Sequence, residues 1–411
     1  MLNSFQTVII LMVISRIDAV TDAGNFVIAY AIANLLIMIG KYGVRQYQVS
    51  DVKEQFSFGD YLSARVLSTI AMIAAAAVYI AAQMVTGAYD AEKSAVVFLI
   101  CGAKAVDAFE DVYHGMFQQH QRLDVAGKIW SIRLIVYIAQ FMLIYYVNGN
   151  LIFTAAVCLA TTVVLSVILN GCIMKNRVII YSNQRVTARH VRELLADCFP
   201  IFVSTFLMAY VANAPKYSID VVLSSQEQAQ FNYIFMPVFV ISLLSTFIYQ
   251  PMINRLAVMW HDGHLSAFWK LIFRQVALIA GVTALAVAAG AFLGIPVLSA
   301  MYSVDLSMYR MELIILLLGG GMVALINFFT MVITVTRYQK HLMWGYLFIS
   351  LIFLIFGKKV AGQFGIMGIS VFYTVSVAVL ALIFLIYIIA IEKAEKKHRM
   401  ATRGFGTEEK D

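Results

Sequence analysis

Charged residues are scarce in this sequence: Asp, Glu, Lys and Arg together make up 13% of its 411 residues. Soluble globular proteins carry about 25%. Apolar residues make up 62% of the chain, and the mean hydropathy is +0.83. A surface with so little charge must largely face lipid, which excludes a soluble globular protein and predicts an all-α integral membrane protein.

Cysteine is also rare, and its spacing excludes the common cysteine sites. Cys101, Cys158, Cys172 and Cys198 lie in or beside apolar segments, and none forms a CxxC pair. Neither a disulfide nor a zinc site is predicted, and packing is the expected role. The motifs of P-loop nucleotide binding, zinc peptidases and serine hydrolases are absent too. No cofactor, no metal ion and no enzymatic activity are therefore predicted.

The basic residues that are present alternate along the chain. Lys and Arg collect in every second gap between apolar segments, while the other gaps hold only Arg16, Lys93, Lys358 and Lys359. This alternation is the positive-inside pattern of a polytopic helical membrane protein. The net charge of +7 follows from it and from contact with anionic membrane lipid, so no nucleic-acid partner is predicted.

About twelve membrane spans are predicted from the length of roughly 20 apolar residues that a spanning helix needs. In the first half they are Leu2–Ser15, Ala23–Ile39, Tyr61–Val85, Ser94–Tyr113, Gly127–Val147 and Leu151–Met174. In the second half they are Leu194–Leu223, Gln230–Asn254, Ala267–Leu293, Tyr309–Thr336, His341–Gly357 and Gly365–Ile391. The first is too short, so helix one is expected to be truncated at the gene start, or short or re-entrant.

The predicted organisation is a six-helix lobe over residues 1–175, a basic cytoplasmic linker over 176–193, a second six-helix lobe over 194–392 and a charged cytoplasmic tail over 393–411. The even number of spans and the basic inner gaps put both termini in the cytoplasm. The outer gaps are little more than turns. None can hold a soluble domain.

Span four carries charged residues inside the membrane. Lys104, Asp107 and Asp111 follow one another at i, i+3 and i+7, so they share one helical face. Each charge costs about 2.5–3.5 kcal/mol to insert, so the face should meet protein or water. It is either the polar wall of a transport cavity or a network that locks span four to neighbours such as Arg65 or Arg133.

Span seven and the inner end of span two hold the other candidates. Asn213, Lys216 and Asp220 share a face beside Pro215. Lys216 either offers its ammonium to a phosphate, pairs with Asp220, or extends to the outer headgroups. Arg45 either meets an entering pyrophosphate or only determines topology.

Four segments carry a resemblance to a known family. They are GKYGVRQYQVSD from Gly40, DVYHGMFQQHQRLDVAGK from Asp111, CFPIFVSTFLMAYVANAPKYSID from Cys198 and FNYIFMPVFVISLLSTFIYQP from Phe231. They resemble the Wzx-type polysaccharide flippases, which are prokaryotic polysaccharide transporters of the MOP superfamily. That superfamily also holds the MATE drug exporters and the lipid II flippases. The resemblance covers nearly the whole chain, although family members usually have more residues before span one.

The resemblance implies two six-helix lobes around a central cavity, in a MATE-like arrangement with alternating access. It implies transport of an undecaprenyl-pyrophosphate-linked oligosaccharide from the inner to the outer leaflet of the bacterial plasma membrane, for surface polysaccharide biosynthesis. A glycan polymerase and glycosyltransferases of the same pathway are the implied partners. The rivals are a MATE-like drug/cation antiporter and, less favoured because the outer gaps are short, a membrane-embedded glycan polymerase or ligase.

The family's cavity is typically cationic, and Arg45, Lys104 and Lys216 are the residues that could supply that charge here. Asn213 and the three aspartates are added because they share helical faces with these cations. The predicted substrate-binding residues are Arg45, Lys104, Asn213 and Lys216. The predicted charge-coupling residues are Asp107, Asp111 and Asp220.

Overall fold

The computed structural model of the protein describes residues 2–16, 20–51, 55–120, 122–175, 186–249, 252–336, 338 and 340–405. Every regular element in these residues is a helix, as predicted. The first seven α-helices are α1 Leu2–Arg16, α2 Val20–Lys41, α3 Val44–Ser50, α4 Phe58–Val85, α5 Ala91–Gln119, α6 Leu123–Asn148 and α7 Leu151–Lys175. The others are α8 Ala188–Ile219, α9 Ser225–Tyr249, α10 Ile253–His261, α11 Leu265–Ala289, α12 Ile295–Tyr302, α13 Arg310–Val335 and α14 Lys340–Phe405.

Nine helical stretches of the described chain are long and apolar enough to cross a membrane, which makes this a multi-pass membrane protein. Helix α5 has the length of a span but carries six charged residues: Glu92, Lys93, Lys104, Asp107, Glu110 and Asp111. Helix α14 contains both of the last two predicted spans, on either side of a break at Gly365. Helix α1 is short, as the sequence predicted.

Several predicted boundaries are wrong by five residues or more. Span eight was expected to reach Asn254, but α9 ends at Tyr249 and Asn254 belongs to the separate short helix α10. Span seven was expected to begin at Leu194, yet α8 begins at Ala188. The reason is local, because the Thr187 side chain accepts a hydrogen bond from the backbone N–H of His190 and so caps α8 earlier. Most of the predicted linker, residues 176–185, lies outside the described residues.

Polar side chains also cap the starts of α4 and α5. The side chain of Ser57 accepts from the backbone of Asp60, whose carboxylate accepts from the Ser57 backbone, and this capping box begins α4. The Asp90 carboxylate accepts from the backbone of Lys93 and begins α5. Each such cap stabilises its helix by about 1 kcal/mol, so it fixes the residue at which the helix begins.

The chain divides into two compact units. The first contains Met1–Gln230 with Met301–Val304, and the second contains Phe231–Ala300 with Asp305–Asp411. In the first unit, α2 is the central helix and packs against α1, α4, α5 and α8. In the second unit, α13 packs against α11 and α14. The lobe boundaries of the sequence analysis and the central cavity between the lobes stay predictions.

The three cysteines whose side chains are described, Cys101, Cys158 and Cys198, are buried and free of disulfides, as predicted. Among the residues that the structure describes, no group of three or more His, Cys, Asp or Glu side chains is placed to hold a metal ion.

Gly365 gives a direct test of the break in α14. Its φ of 57° and ψ of −149° lie in a region essentially restricted to glycine, although no other atom is within 4 Å of where a Cβ would stand. Gly365→Ala should therefore destabilise the protein by about 1–3 kcal/mol through backbone strain alone, seen as a lower Tm in detergent. The control is Gly281→Ala in α11, where space is equally open. Equal Tm values for the two variants would contradict the break.

Candidate functional site: a cationic cavity in the first unit

The turn between α2 and α3 has an unusual backbone. Tyr42 and Gly43 both have positive φ, 46° and 70°, a conformation that costs energy for a side chain as large as tyrosine. A Cβ on Gly43 would lie 2.8 Å from the Ile201 side chain of α8, so the turn also needs a glycine for space. This turn separates the last residue of α2, Lys41, from the second residue of α3, Arg45.

Helix α3 is held in place from two sides. The Tyr42 ring stacks on Phe202 of α8 with a centroid distance of 4.6 Å. The Tyr47 hydroxyl donates to the Asp197 carboxylate at 3.0 Å. Burial and this carboxylate raise the pKa of Tyr47 to about 12, so the hydroxyl keeps its proton and the bond at physiological pH. Arg45 is therefore presented by a fixed helix.

Lys41 and Arg45 line a cavity of about 500 Å³. The rest of its lining is Met38, Gly43, Gln46, Val49, Asp111, Gln118 and Thr205, which come from α2, α3, α5 and α8. A larger cavity of about 770 Å³ lies between α4, α5 and α7, but its lining holds no charged side chain. Since ionic recognition needs charge, the smaller, cationic cavity is the candidate site.

The Arg45 guanidinium is oriented by two partners on α5. Its Nη1 donates to Asp111 Oδ1 at 3.1 Å, and its Nε and Nη2 donate to Gln118 Oε1 at 3.2 and 2.8 Å. These three bonds leave further N–H donors of the guanidinium for a ligand. The side chain is 30% exposed, so the cavity can reach it.

Arg65 decides the charge balance of the cavity. Its side chain is wholly buried, with Nη2 3.1 Å from Asp111 Oδ2 and Nη1 2.8 Å from the Gly40 carbonyl. Asp111 is thus shared between a buried arginine and an exposed one. Because Arg65 already compensates the Asp111 carboxylate, Arg45 and Lys41 leave the cavity net positive.

Lys104 and Asp107 lie in a different network, although they share a helical face with Asp111. Lys104 Nζ is 3.1 Å from Asp107 Oδ2, and Asp107 also pairs closely with Arg133 of α6. Arg133 reaches Glu110 at 2.8 Å, and the Asn170 amide donates to the same carboxylate at 2.9 Å. This network surrounds a void of only about 30 Å³. The network therefore fits the alternative in which charges connect span four to its neighbours better than the alternative of a cavity wall.

The predicted site residues of span seven are also separate from the cavity. Asp220 pairs with Lys93 of α5 at 2.7 Å and accepts a short hydrogen bond from the Tyr89 hydroxyl. This pair connects the end of α8 to α5. Asn213 and Lys216 are half-buried on α8, and the Asn213 amide donates to the Ala209 carbonyl at 3.3 Å.

Of the seven predicted site residues, the structure therefore brings two, Arg45 and Asp111, into the cationic cavity. The roles of all seven stay predictions. Sequence reasoning did not assign a site role to Lys41, Gln118 or Arg65. The signal for Lys41 was available, because it precedes Arg45 by four residues across a Tyr-Gly turn.

The fold is shared with solved transporters of low sequence identity. An inward-facing structure of a multidrug resistance MATE family transporter of the MOP superfamily matches with a TM-score of 0.70 at 10% identity, over 96% of both chains. The lipid II flippase MurJ in an inward closed conformation matches with a TM-score of 0.66 at 14% identity, over 94% of this chain and 86% of that one. The MATE transporter VcmN of Vibrio cholerae matches in its bent form with a TM-score of 0.57 at 12% identity, over 97% and 98%.

These likenesses confirm the predicted all-helical, MATE-like fold, which MATE transporters and MurJ have in common. No protein-family model matches the chain, and no curated protein matches it in sequence.

Asp111→Asn tests whether the carboxylate compensates the buried Arg65. Removing one member of a buried ion pair leaves the other charge without a partner, so the variant should lose about 3–5 kcal/mol of stability. The measurement is thermal unfolding of the full chain in detergent. A Tm that stays within a degree of the unsubstituted protein would contradict the shared pairing.

Two further variants control that experiment. Asp124→Asn breaks the exposed pair with Arg122, whose side chains are 49% and 52% exposed, and should cost less than about 1 kcal/mol. Arg65→Met combined with Asp111→Asn should be less destabilising than the sum of the two single changes, because the buried charge and its partner are removed together.

Proposed function

We propose that the protein is a flippase that moves an undecaprenyl-pyrophosphate-linked oligosaccharide from the inner to the outer leaflet of a bacterial plasma membrane by alternating access. The observation that supports this is the net positive cavity at the end of α2, where Lys41 and Arg45 face Asp111. In this proposal both termini are cytoplasmic, and the product is used for surface polysaccharide biosynthesis. A glycan polymerase and glycosyltransferases of that pathway are the proposed partners.

The cavity suits a pyrophosphate because of the geometry of its cations. A guanidinium can donate two parallel hydrogen bonds to phosphate oxygens, and an ammonium adds a mobile point charge. Asp111 and Gln118 already accept hydrogen bonds from the Arg45 guanidinium, so its remaining N–H donors are oriented before a ligand arrives. Preorganised charge of this kind binds an anion with little reorganisation of the protein.

The assignment places the headgroup near the cytoplasmic side. Lys41 and Arg45 belong to a gap that the positive-inside pattern predicts to be cytoplasmic. In this proposal the lipid-linked substrate is made in the leaflet on that side. In this proposal Lys216, in the outer half of α8, is a later contact of the pyrophosphate, with Asn213 beside it. Lys104, with Asp107 and Asp220, supports the helices that carry these contacts.

The charge of the cavity also separates the proposal from its main rival. A drug/cation antiporter needs a site that attracts cations, but the one carboxylate lining this cavity is already held by two arginines. The multidrug resistance transporter with the same fold keeps that alternative open. A glycan polymerase or ligase is less favoured, because the turn between α6 and α7 contains only Gly149 and Asn150.

The proposal predicts that Arg45→Ala abolishes export while the protein still inserts in the membrane. Losing charge-assisted hydrogen bonds of about 1.5–3 kcal/mol each should lower surface polysaccharide by roughly tenfold or more. The measurement is rescue of surface polysaccharide in a flippase-deficient strain with a compatible glycan pathway. Arg45→Lys should retain part of the activity, and Lys41→Ala and Lys216→Ala should each reduce it.

The matched control is Arg122→Ala, which removes an exposed arginine from an inner basic gap without touching the cavity. It should leave rescue unchanged. Normal polysaccharide in the Arg45→Ala strain, with equal protein in the membrane, would refute the site. Drug resistance on expression, together with no effect on surface glycan, would favour the antiporter instead.

A further inference from the structure

One face of α8 carries a row of aromatic side chains. Phe199, Phe202, Phe206, Tyr210 and Tyr217 recur at intervals of three, four, four and seven residues, which places them on the same side of the helix. Neighbouring rings are in contact: centroids are 6.3 Å apart for Phe199 and Phe202 and 5.7 Å apart for Phe202 and Phe206. Tyr210 and Tyr217 stack at 5.6 Å. These five residues are called the aromatic face below.

The aromatic face is accessible rather than packed into the core. Phe199 is 52% exposed, and the other four rings are partly exposed. Asn213, which is also partly exposed, falls on the same side between Tyr210 and Tyr217. This surface is available to a ligand along much of the helix.

The chemistry of the aromatic face differs from that of a lipid-facing surface. The exposed positions in the middle of α7 are aliphatic: Val163, Val164, Val167 and Ile168. The aromatic face instead combines ring faces with the amide of Asn213 and the hydroxyl of Tyr210. Polar groups of this kind are costly against hydrocarbon and favourable against a ligand with hydroxyl groups.

The aromatic face begins at the cationic cavity. Phe202 stacks on Tyr42, which lies between the cavity residues Lys41 and Gly43. Thr205, in the next turn of α8, lines the cavity itself.

From there the aromatic face runs along α2 toward the outer end. The Tyr217 hydroxyl donates to the Ala31 carbonyl of α2 at 2.8 Å. The distance from Tyr42 back to Ala31 is about 16 Å along the helix, and the partly exposed Asn34 and Met38 lie between them.

We propose that the aromatic face binds the sugar rings of the transported oligosaccharide by stacking, while its pyrophosphate lies at Lys41 and Arg45; this inference rests on the function proposed above. The negative face of an aromatic ring attracts the weakly positive C–H groups on one side of a sugar ring. The Tyr210 hydroxyl and the amides of Asn213 and Asn34 bond to sugar hydroxyls.

The same features define the class of sugar. The row from Phe199 to Tyr217 presents rings, hydroxyls and an amide, and its members carry no charge. An uncharged hexose or N-acetylhexosamine therefore fits the aromatic face, whereas negative charge is recognised at the cavity below it. Stacking tolerates differences between sugars, because every pyranose has a C–H face, so the surface selects for ring type rather than for one hydroxyl pattern.

The test separates recognition of sugar from recognition of pyrophosphate. The full chain, purified in detergent, is titrated with two probes: undecaprenyl pyrophosphate, and the same lipid bearing a neutral disaccharide of N-acetylglucosamine. The measured quantity is the ratio of the two affinities. We expect the disaccharide to strengthen binding to the unsubstituted protein, and Phe206→Ala or Tyr210→Ala to reduce that gain about tenfold, the scale of one aromatic stacking contact.

Three variants control for loss of structure. Phe206→Tyr keeps a ring at its position and should keep the gain. Tyr210→Phe keeps the ring without the hydroxyl and should keep the part of the gain that comes from stacking. Met208→Ala truncates a side chain that is 42% exposed on the opposite side of α8, and should leave both affinities unchanged. The alanine variants of the aromatic face should bind the bare pyrophosphate lipid as the unsubstituted protein does.

Each other outcome is decisive. Equal affinity for the two probes would overturn the stacking role and leave the proposed flippase intact. An equal loss of both affinities in the alanine variants would mean that the aromatic face contacts the prenyl chain, which also overturns the stacking role. If neither probe binds the unsubstituted protein, the proposed function itself fails, and the stacking role with it.

Discussion

The sharing of Asp111 between Arg65 and Arg45 is the interaction on which the candidate site depends. Arg65 is wholly buried and could not remain charged there without the carboxylate and the Gly40 carbonyl. Its presence in turn keeps Asp111 from cancelling Arg45. A buried ion pair is weak evidence for stability, but here it sets the sign of the charge in a cavity of about 500 Å³.

The same constraint, that a charge away from water needs a partner, explains how the helices of the first unit are connected. Arg133 and Asp107 connect α6 to the middle of α5, and Lys93 in the first turn of α5 pairs with Asp220, the residue that follows α8. Such pairs bring specificity of register as well as attraction. Helix α5 carries most of them, which accounts for its high charge among otherwise apolar helices.

The sequence was sufficient to predict the helices, because stretches of about 20 apolar residues between polar turns have few other structures in a membrane. It also predicted that Lys104, Asp107 and Asp111 share a face, which is a property of helix geometry alone. It could not predict that this face meets different partners at different depths. Lys104 and Asp111 are seven residues apart, which is about 10 Å along the helix. Lys104 contacts the Tyr30 ring of α2, whereas Asp111 pairs with Arg45, which lies beyond the end of α2.

The features that the sequence did not predict depend on local backbone conformation and on burial. The left-handed turn at Tyr42 depends on a backbone conformation that composition does not reveal. The role of Arg65 depends on its complete burial, whereas the sequence offered it only as one possible neighbour of the charges in span four. The net positive charge of the cavity follows from these placements, because the positive and negative residues of α2, α3 and α5 are nearly equal in number. The cavity is net positive only because Arg65 binds the Asp111 carboxylate from the buried side while Arg45 lines the cavity.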